Sequence, residues 1–127
     1  MVSGLHVHLV FVPKYRRGVF DDELLVACED IMRQVCRDFG AALVEFNGED
    51  DHVHLLVEYP PTVQLSKLVN SLKGVSARVL RRDFRQKIRP FLWGEHFWSP
   101  SYFAASVGGA PIAVLREYIE SQRRPVS

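Results

Sequence analysis

Hydrophobic positions along this chain change period several times, and each change marks an element. Residues 5–12, LHVHLVFV, alternate and are rich in β-branched and aromatic types, so they read as a strand that Pro13 closes. From Phe20 the spacing becomes helical. Leu24, Leu25, Ala27, Cys28, Ile31, Met32, Val35, Cys36 and Phe39 predict a helix of about five turns, capped by Asp21 or Asp22 and stopped by Gly40. Ala41–Phe46 and His52–Tyr59 return to strand character around Asn47-Gly48, a strong hairpin signal, and Pro60-Pro61 ends the second of them. Thr62 or Ser66 is placed to cap a helix whose apolar stripe is Leu65, Leu68, Val69, Leu72, Val75, Val79 and Leu80, ending near Phe84. A polar linker and Phe91-Leu92-Trp93 lead to a fourth strand within Phe97–Val107, interrupted early by Pro100. Gly108-Gly109 is a hinge signal, and Pro111 suits the first turn of a last helix with Ile112, Leu115 and Ile119 inside.

The order β-α-β-β-α-β-α predicts an α+β fold: a ferredoxin-like or RRM-like antiparallel sheet with helices on one face, plus a C-terminal helix. In that topology the first and third strands are central neighbours. The open face would then display His52 and His54, together with His6 and His8, while Val53, Leu55 and Val57 face the helices. A length of 127 residues fits one domain, 1–127, and leaves no room for a second.

Composition narrows the class. The apolar runs fall far short of the roughly 20 residues that span a bilayer, and the N-terminus lacks a signal-peptide pattern, so a cytoplasmic protein without membrane contact is expected. Cys28 and Cys36, eight apart on one helix, would sit about 12 Å apart along its axis, too far for a disulfide. They read as buried thiols. Net charge is only +1, but the basic residues are clustered. Lys14, Arg16 and Arg17 follow the first strand, and Lys73, Arg78, Arg81, Arg82, Arg85, Lys87 and Arg89 accumulate in and after the second helix. Either group could contact phosphates, and either could simply be a solvated face.

Candidate chemistry comes from two places. His52 and His54 project from one face of a strand about 7 Å apart and can share a metal ion. Tyr118 and Gln122, four apart on a helix, also share a face. Each has a plain structural explanation: a half-buried sheet edge, an amphipathic packing residue, a good helix former. Combined, they supply what each lacks. A phenol with a pKa near 10 needs help to attack a phosphodiester, and two imidazoles with an amide leave a divalent ion its full charge and open positions. Mg²⁺ or Mn²⁺ suits such a set better than zinc, since neither cysteine is near a histidine in sequence. Asp50 and Asp51 either orient an imidazole or hold the turn.

At this point the residues resemble a family, the small TnpA-type single-tyrosine transposases of bacterial insertion sequences, within the HUH endonuclease superfamily. The resemblance runs through HLVFVPKYRR at 8–17, DDHVHLLVE at 50–58, LSKLVNSLKGVSARVL at 65–80, LWGEHFWSPSYFAASVG at 92–108 and REYIESQ at 116–122. It implies that His52 and His54 form the HUH pair, that Gln122 completes the metal shell, and that Tyr118 is the nucleophile. The implied reaction cuts single-stranded DNA through a 5′-phosphotyrosine link, with hairpin ends as substrates. It also implies a homodimer whose sheets join edge to edge, the tyrosine helix able to serve the partner's histidines across the Gly108-Gly109 hinge. Lys14, Arg16, Arg17, Lys73, Arg78 and Arg82 become candidates for hairpin contact. His8 lies in the first-strand motif without being assigned as a ligand. Two rivals stay open: a non-catalytic RRM-like single-strand-binding module or decayed HUH protein, and an HUH enzyme of plasmid replication or repeat processing.

Overall fold

The computed structural model describes residues 4–14, 18–91, 96–106 and 112–123. Four strands, β1 (Leu5–Phe11), β2 (Ala42–Gly48), β3 (Val53–Tyr59) and β4 (Phe103–Ser106), form one antiparallel sheet in the order β2-β3-β1-β4. The helices are α1 (Asp22–Asp38), α2 (Leu65–Asp83), the single turn α3 (Arg85–Ile88) and α4 (Ile112–Arg123). This is the expected α+β arrangement, with β1 and β3 at the centre.

Alternation on the strands decides which face is covered. Leu9 and Phe11 of β1, and Val53, Leu55 and Val57 of β3, are fully buried in one cluster with Leu24, Cys28, Met32 and Cys36 of α1 and Leu68, Val69, Leu72 and Leu80 of α2. Completely burying each such side chain is worth about 1.5–3 kcal/mol, which makes this layer the fold's main source of stability. Both cysteines are free and buried, as the spacing requires. Asp21 caps α1, its carboxylate accepting from Leu24 N at 2.9 Å. Lys87 holds that carboxyl below the usual range through a 2.5 Å ion pair.

Three local expectations are corrected. Neither Thr62 nor Ser66 caps α2: the N-cap is Gln64, without a side-chain bond. The first helical donors, Lys67 N and Leu68 N, already return to Gln64 O, so Thr62 lies too early and Ser66 is inside the helix. Asn47-Gly48 is not the hairpin turn, because both residues pair in the ladder, with His54 and Val53. The turn is 49–52, closed by Glu49 N donating to His52 O at 2.9 Å. Gly48 has no positive φ, and a Cβ there would meet the Cδ2 end of the Leu25 side chain of α1, which would have to turn aside. The linker after α2 folds into α3, drawn in by Ile88, which is buried in the core.

The face opposite α1 and α2 is partly covered too. Val10 is fully buried yet stands outside the main core cluster. Its paired residue on β4, Phe103, carries the Tyr118 ring of α4, centroids 5.7 Å apart. Gly108, Gly109 and Pro111, the expected hinge and helix start, lie outside the described residues.

Candidate active site

β3 delivers the two histidines. The 49–52 turn leaves His52 just before the strand and His54 on it, both aimed at the face away from Val53 and Leu55. Asp51, itself buried, places Oδ1 2.9 Å from Nδ1 of His52. A carboxylate there fixes the ring and leaves Nε2 as the outward nitrogen, the arrangement that supports a metal-ligating imidazole. His52 also belongs to a tight group with Glu49 and Asp51, donor atoms all within 4.8 Å. Since Asp51 already engages His52, that closeness is explained by orientation of the ring, with no ion required.

His54 has a partner that the strand pattern alone does not reveal. Nδ1 of His8 lies 2.9 Å from Nε2 of His54, with the rings stacked and their planes 15° from parallel. The pairing register explains it: Val10 opposes His54 and His8 opposes Leu56, so the two histidines are diagonal neighbours on one face. Burial lowers the pKa of His54 below the ordinary imidazole value, and repulsion from His8 and His52 adds to this. The neutral ring keeps a lone pair. His6 joins the same face but is engaged elsewhere, 3.1 Å from Glu58.

Tyr118 and Gln122 share one side of α4 and meet one segment of chain. The Tyr118 hydroxyl is 3.1 Å from Ser101 Oγ, and Ser99 Oγ donates to Gln122 Oε1 at 2.6 Å. Burial raises the Tyr118 pKa, only partly offset by the Ser101 hydrogen bond. A phenol in this setting is a poor nucleophile without electrophilic help.

The register brings the two halves towards each other. Val10 of β1 pairs with His54 on one side and with Phe103 on the other. Farther along β1, Ser99 N donates to Val12 O at 2.7 Å, and extending the β1–β3 register by one residue sets His52 beside Val12. Two strand spacings, about 10 Å between backbones, thus separate the histidines from the segment on which Tyr118 and Gln122 rest. Side chains of these lengths can close such a gap around a phosphate.

The donor set can hold a divalent ion: two imidazoles, one of them held neutral and the other oriented by a carboxylate, are borderline donors for a transition-metal ion, and an amide oxygen with a second lone pair adds a hard one. The open sheet face is a poor stacking platform, since its strand positions carry His6, His8, His54, Glu45 and Glu58, and Phe103 is covered by Tyr118.

The described basic candidates differ in what they engage. Arg78 and Arg82, four apart on α2, share an exposed flank, with Arg82 paired to Asp83 at 2.8 Å. Lys73 points elsewhere: its ammonium lies 2.8, 3.2 and 3.5 Å from the carbonyls of Ser99, Pro100 and Ser101. Lys14 is exposed beside the Pro13–Trp98 bridge. Arg16 and Arg17 lie outside the described residues. The topology already put His8 on the open face with His54; sequence reasoning missed that the two rings bond directly, and missed Ser99 and Ser101 as partners of the α4 side chains. The repeated His-x-His of β1 was the available signal for the first; nothing in local spacing marked the serines.

Comparison with known proteins places this geometry in a family. Residues 1–122 match the family described as "Transposase IS200 like". The chain is 35% identical over 121 residues to the ISDra2 transposase TnpA of Deinococcus radiodurans, covering 95% of this chain and 86% of that protein. It is 34% identical over 118 residues to the transposase for insertion sequence element IS200 of Salmonella typhimurium, covering 91% and 74%. Among solved structures, a crystal structure described as a transposase from Deinococcus radiodurans superposes with a TM-score of 0.87 at 34% identity, covering 98% of this chain and 95% of the other. A REP-associated tyrosine transposase solved bound to a REP hairpin shares the fold, with a TM-score of 0.61 at 12% identity over 94% of this chain and 64% of that one.

Proposed function

The chain belongs to the IS200-like transposase family, and from that premise we propose that it cleaves and rejoins single-stranded DNA at hairpin ends by tyrosine transesterification. The observation that carries the reading is the approach of Tyr118 and Gln122, on one side of β1, to His52 and His54 on the other. Tyr118 is the nucleophile. Its oxygen bonds to phosphorus as the bond from phosphorus to the 3′ oxygen breaks; the phenol loses its proton and the departing oxygen gains one. The products are a 5′-phosphotyrosine and a free 3′-hydroxyl. Attack by another strand's 3′-hydroxyl reverses the step, and the phosphoester bond is conserved, so no ATP is needed.

His52, His54 and Gln122 would hold Mg²⁺ or Mn²⁺, which supplies Lewis-acid polarisation of the phosphate when bound. Asp51 orients His52, and burial keeps His54 in its neutral form. Lys14, Arg16, Arg17, Lys73, Arg78 and Arg82 are assigned to DNA contact; the exposed Arg78 and Arg82 are best placed for phosphates, whereas Lys73 has to release backbone carbonyls first. A hairpin substrate is in keeping with the hairpin-bound neighbour. The working form is a homodimer in the cytoplasm; among the described residues no helix is long and apolar enough to cross a membrane.

The test mixes the protein with single-stranded hairpin DNA from its own gene flanks, with and without Mn²⁺ or Mg²⁺, beside Tyr118→Phe. A metal-dependent, denaturant-resistant protein–DNA band that the substitution abolishes is expected. A band that persists in Tyr118→Phe removes Tyr118 as the nucleophile, and tight binding with no band under either metal turns the reading to a binding module or an inactive copy.

A further inference from the structure

Seven hydrogen bonds converge on the short segment before β4. Trp98 is buried in the core, and its indole N–H donates to Ser76 Oγ of α2 at 2.9 Å. Ser99 N donates to Val12 O of the chain leaving β1. Lys73 of α2 sets its ammonium against three successive carbonyls, those of Ser99, Pro100 and Ser101. The segment is therefore tied to the body of the protein from two sides. Its outward hydroxyls, Ser99 and Ser101, then meet Gln122 and Tyr118.

Residues four apart on a helix share one face with about 6 Å of rise between them, and the segment, bending at Pro100, sets the Ser99 and Ser101 hydroxyls against two such side chains. Hydroxyls two apart on the segment thus meet side chains four apart on α4 in a single seating, and a shift of the helix by one residue breaks both contacts. The only other described ring contact of α4 is that of Tyr118 with Phe103.

We propose that Trp98–Ser101 is a docking rail for the tyrosine helix, with Ser99 and Ser101 as positioning residues for Gln122 and Tyr118 and Lys73 as the anchor that keeps the rail in place. The inference rests on the reading of Tyr118 and Gln122 given above and extends it to how their helix is seated. Each rail contact is a single hydroxyl bond, so removing the two hydroxyls loosens the seating of Tyr118 and Gln122 without touching a buried core residue.

The test compares the full chain with Ser99→Ala/Ser101→Ala, with Ser99→Thr/Ser101→Thr, and with Ser121→Ala as a control, since the Ser121 hydroxyl bonds the helix's own Tyr118 carbonyl. Hydrogen exchange across α4 is measured without DNA, and adduct formation with hairpin DNA and Mn²⁺ is followed at varied DNA concentration. The alanine pair should speed exchange in α4 several-fold while leaving α1 and α2 unchanged, and should lower the maximal adduct rate about tenfold with KM for DNA unchanged. The threonine pair should restore both, and the control should alter neither. Unchanged α4 exchange in the alanine pair, or an undiminished maximal rate, overturns the rail. Faster exchange together with no adduct in the unsubstituted protein would support the rail as a seating device and overturn the transesterification reading instead.

Discussion

Ser76→Ala should destabilise the fold by about 1–2 kcal/mol although it removes one oxygen from the middle of a helix and leaves its volume almost unchanged. Ser76 is fully buried on α2, donates to Leu72 O at 2.6 Å and accepts from the Trp98 indole at 2.9 Å. Removing the hydroxyl returns the Leu72 carbonyl to its ordinary helical bond, a small loss. The indole N–H, on a side chain only 5% exposed, loses its acceptor, which costs about 1–3 kcal/mol. Alanine's better helix propensity offsets about 0.5 kcal/mol of that.

Urea unfolding followed by circular dichroism reads the result. With a slope of about 1.5 kcal/mol per molar for a chain of this size, the midpoint should fall by about 1 M. Trp98→Phe alone removes the donor and leaves a void, and the double variant should be at least about 1 kcal/mol more stable than the sum of the single losses, because no orphaned N–H remains in it. Losses additive to within about 0.5 kcal/mol would refute the argument. They would mean that the indole finds another acceptor and that Ser76 does not tie the rail to α2.

Three further outcomes are expected. Asp51→Asn should weaken Mn²⁺ binding by about 10- to 100-fold in calorimetric titration, because the carboxylate that orients His52 is lost; unchanged affinity would deny it that role. Burial raises the Tyr118 pKa in the folded state, so the unfolded chain ionises first and stability falls as pH rises from about 10 through the folded value; Tyr118→Phe should flatten that fall above about pH 10, and parallel declines would contradict it. Burial pushes the Cys36 thiol up to about 11 and Cys28 higher still, so neither should react with a disulfide reagent near pH 8 until the protein unfolds.

How far the fold was legible depended on whether periodicity or local chemistry carried the signal. Apolar spacing located four strands and the three long helices, and it put Val53, Leu55 and Val57 inward, because burial of one face is what the period encodes. Turn and cap chemistry misled where a residue served tertiary packing instead. Asn47-Gly48 looked like a turn, but both residues pair with β3 and Leu25 of α1 lies against Gly48. Thr62 and Ser66 had capping side chains, but the first helical bond begins at Gln64. The linker before β4 looked polar, and one buried residue, Ile88, was enough to fold it.

The candidate site divided along the same line. His52 with His54, and Tyr118 with Gln122, were readable because each pair sits at the spacing that places two side chains on one face of its own element. Their partners come from other elements: the strand order alone brought His8, 46 residues from His54, to the same face, but nothing in the sequence brought Ser99 to Gln122, 23 residues away. Lys73 shows the same limit from the opposite side. On the helix it reads as one of a run of cations awaiting phosphate, yet its ammonium is half-buried against three carbonyls, and burial lowers its pKa. A charge already engaged in this way contributes to where the tyrosine helix rests before it contributes to where DNA binds. The exposed Arg78, and Arg82 once it leaves Asp83, therefore carry more of the DNA-contact expectation than Lys73.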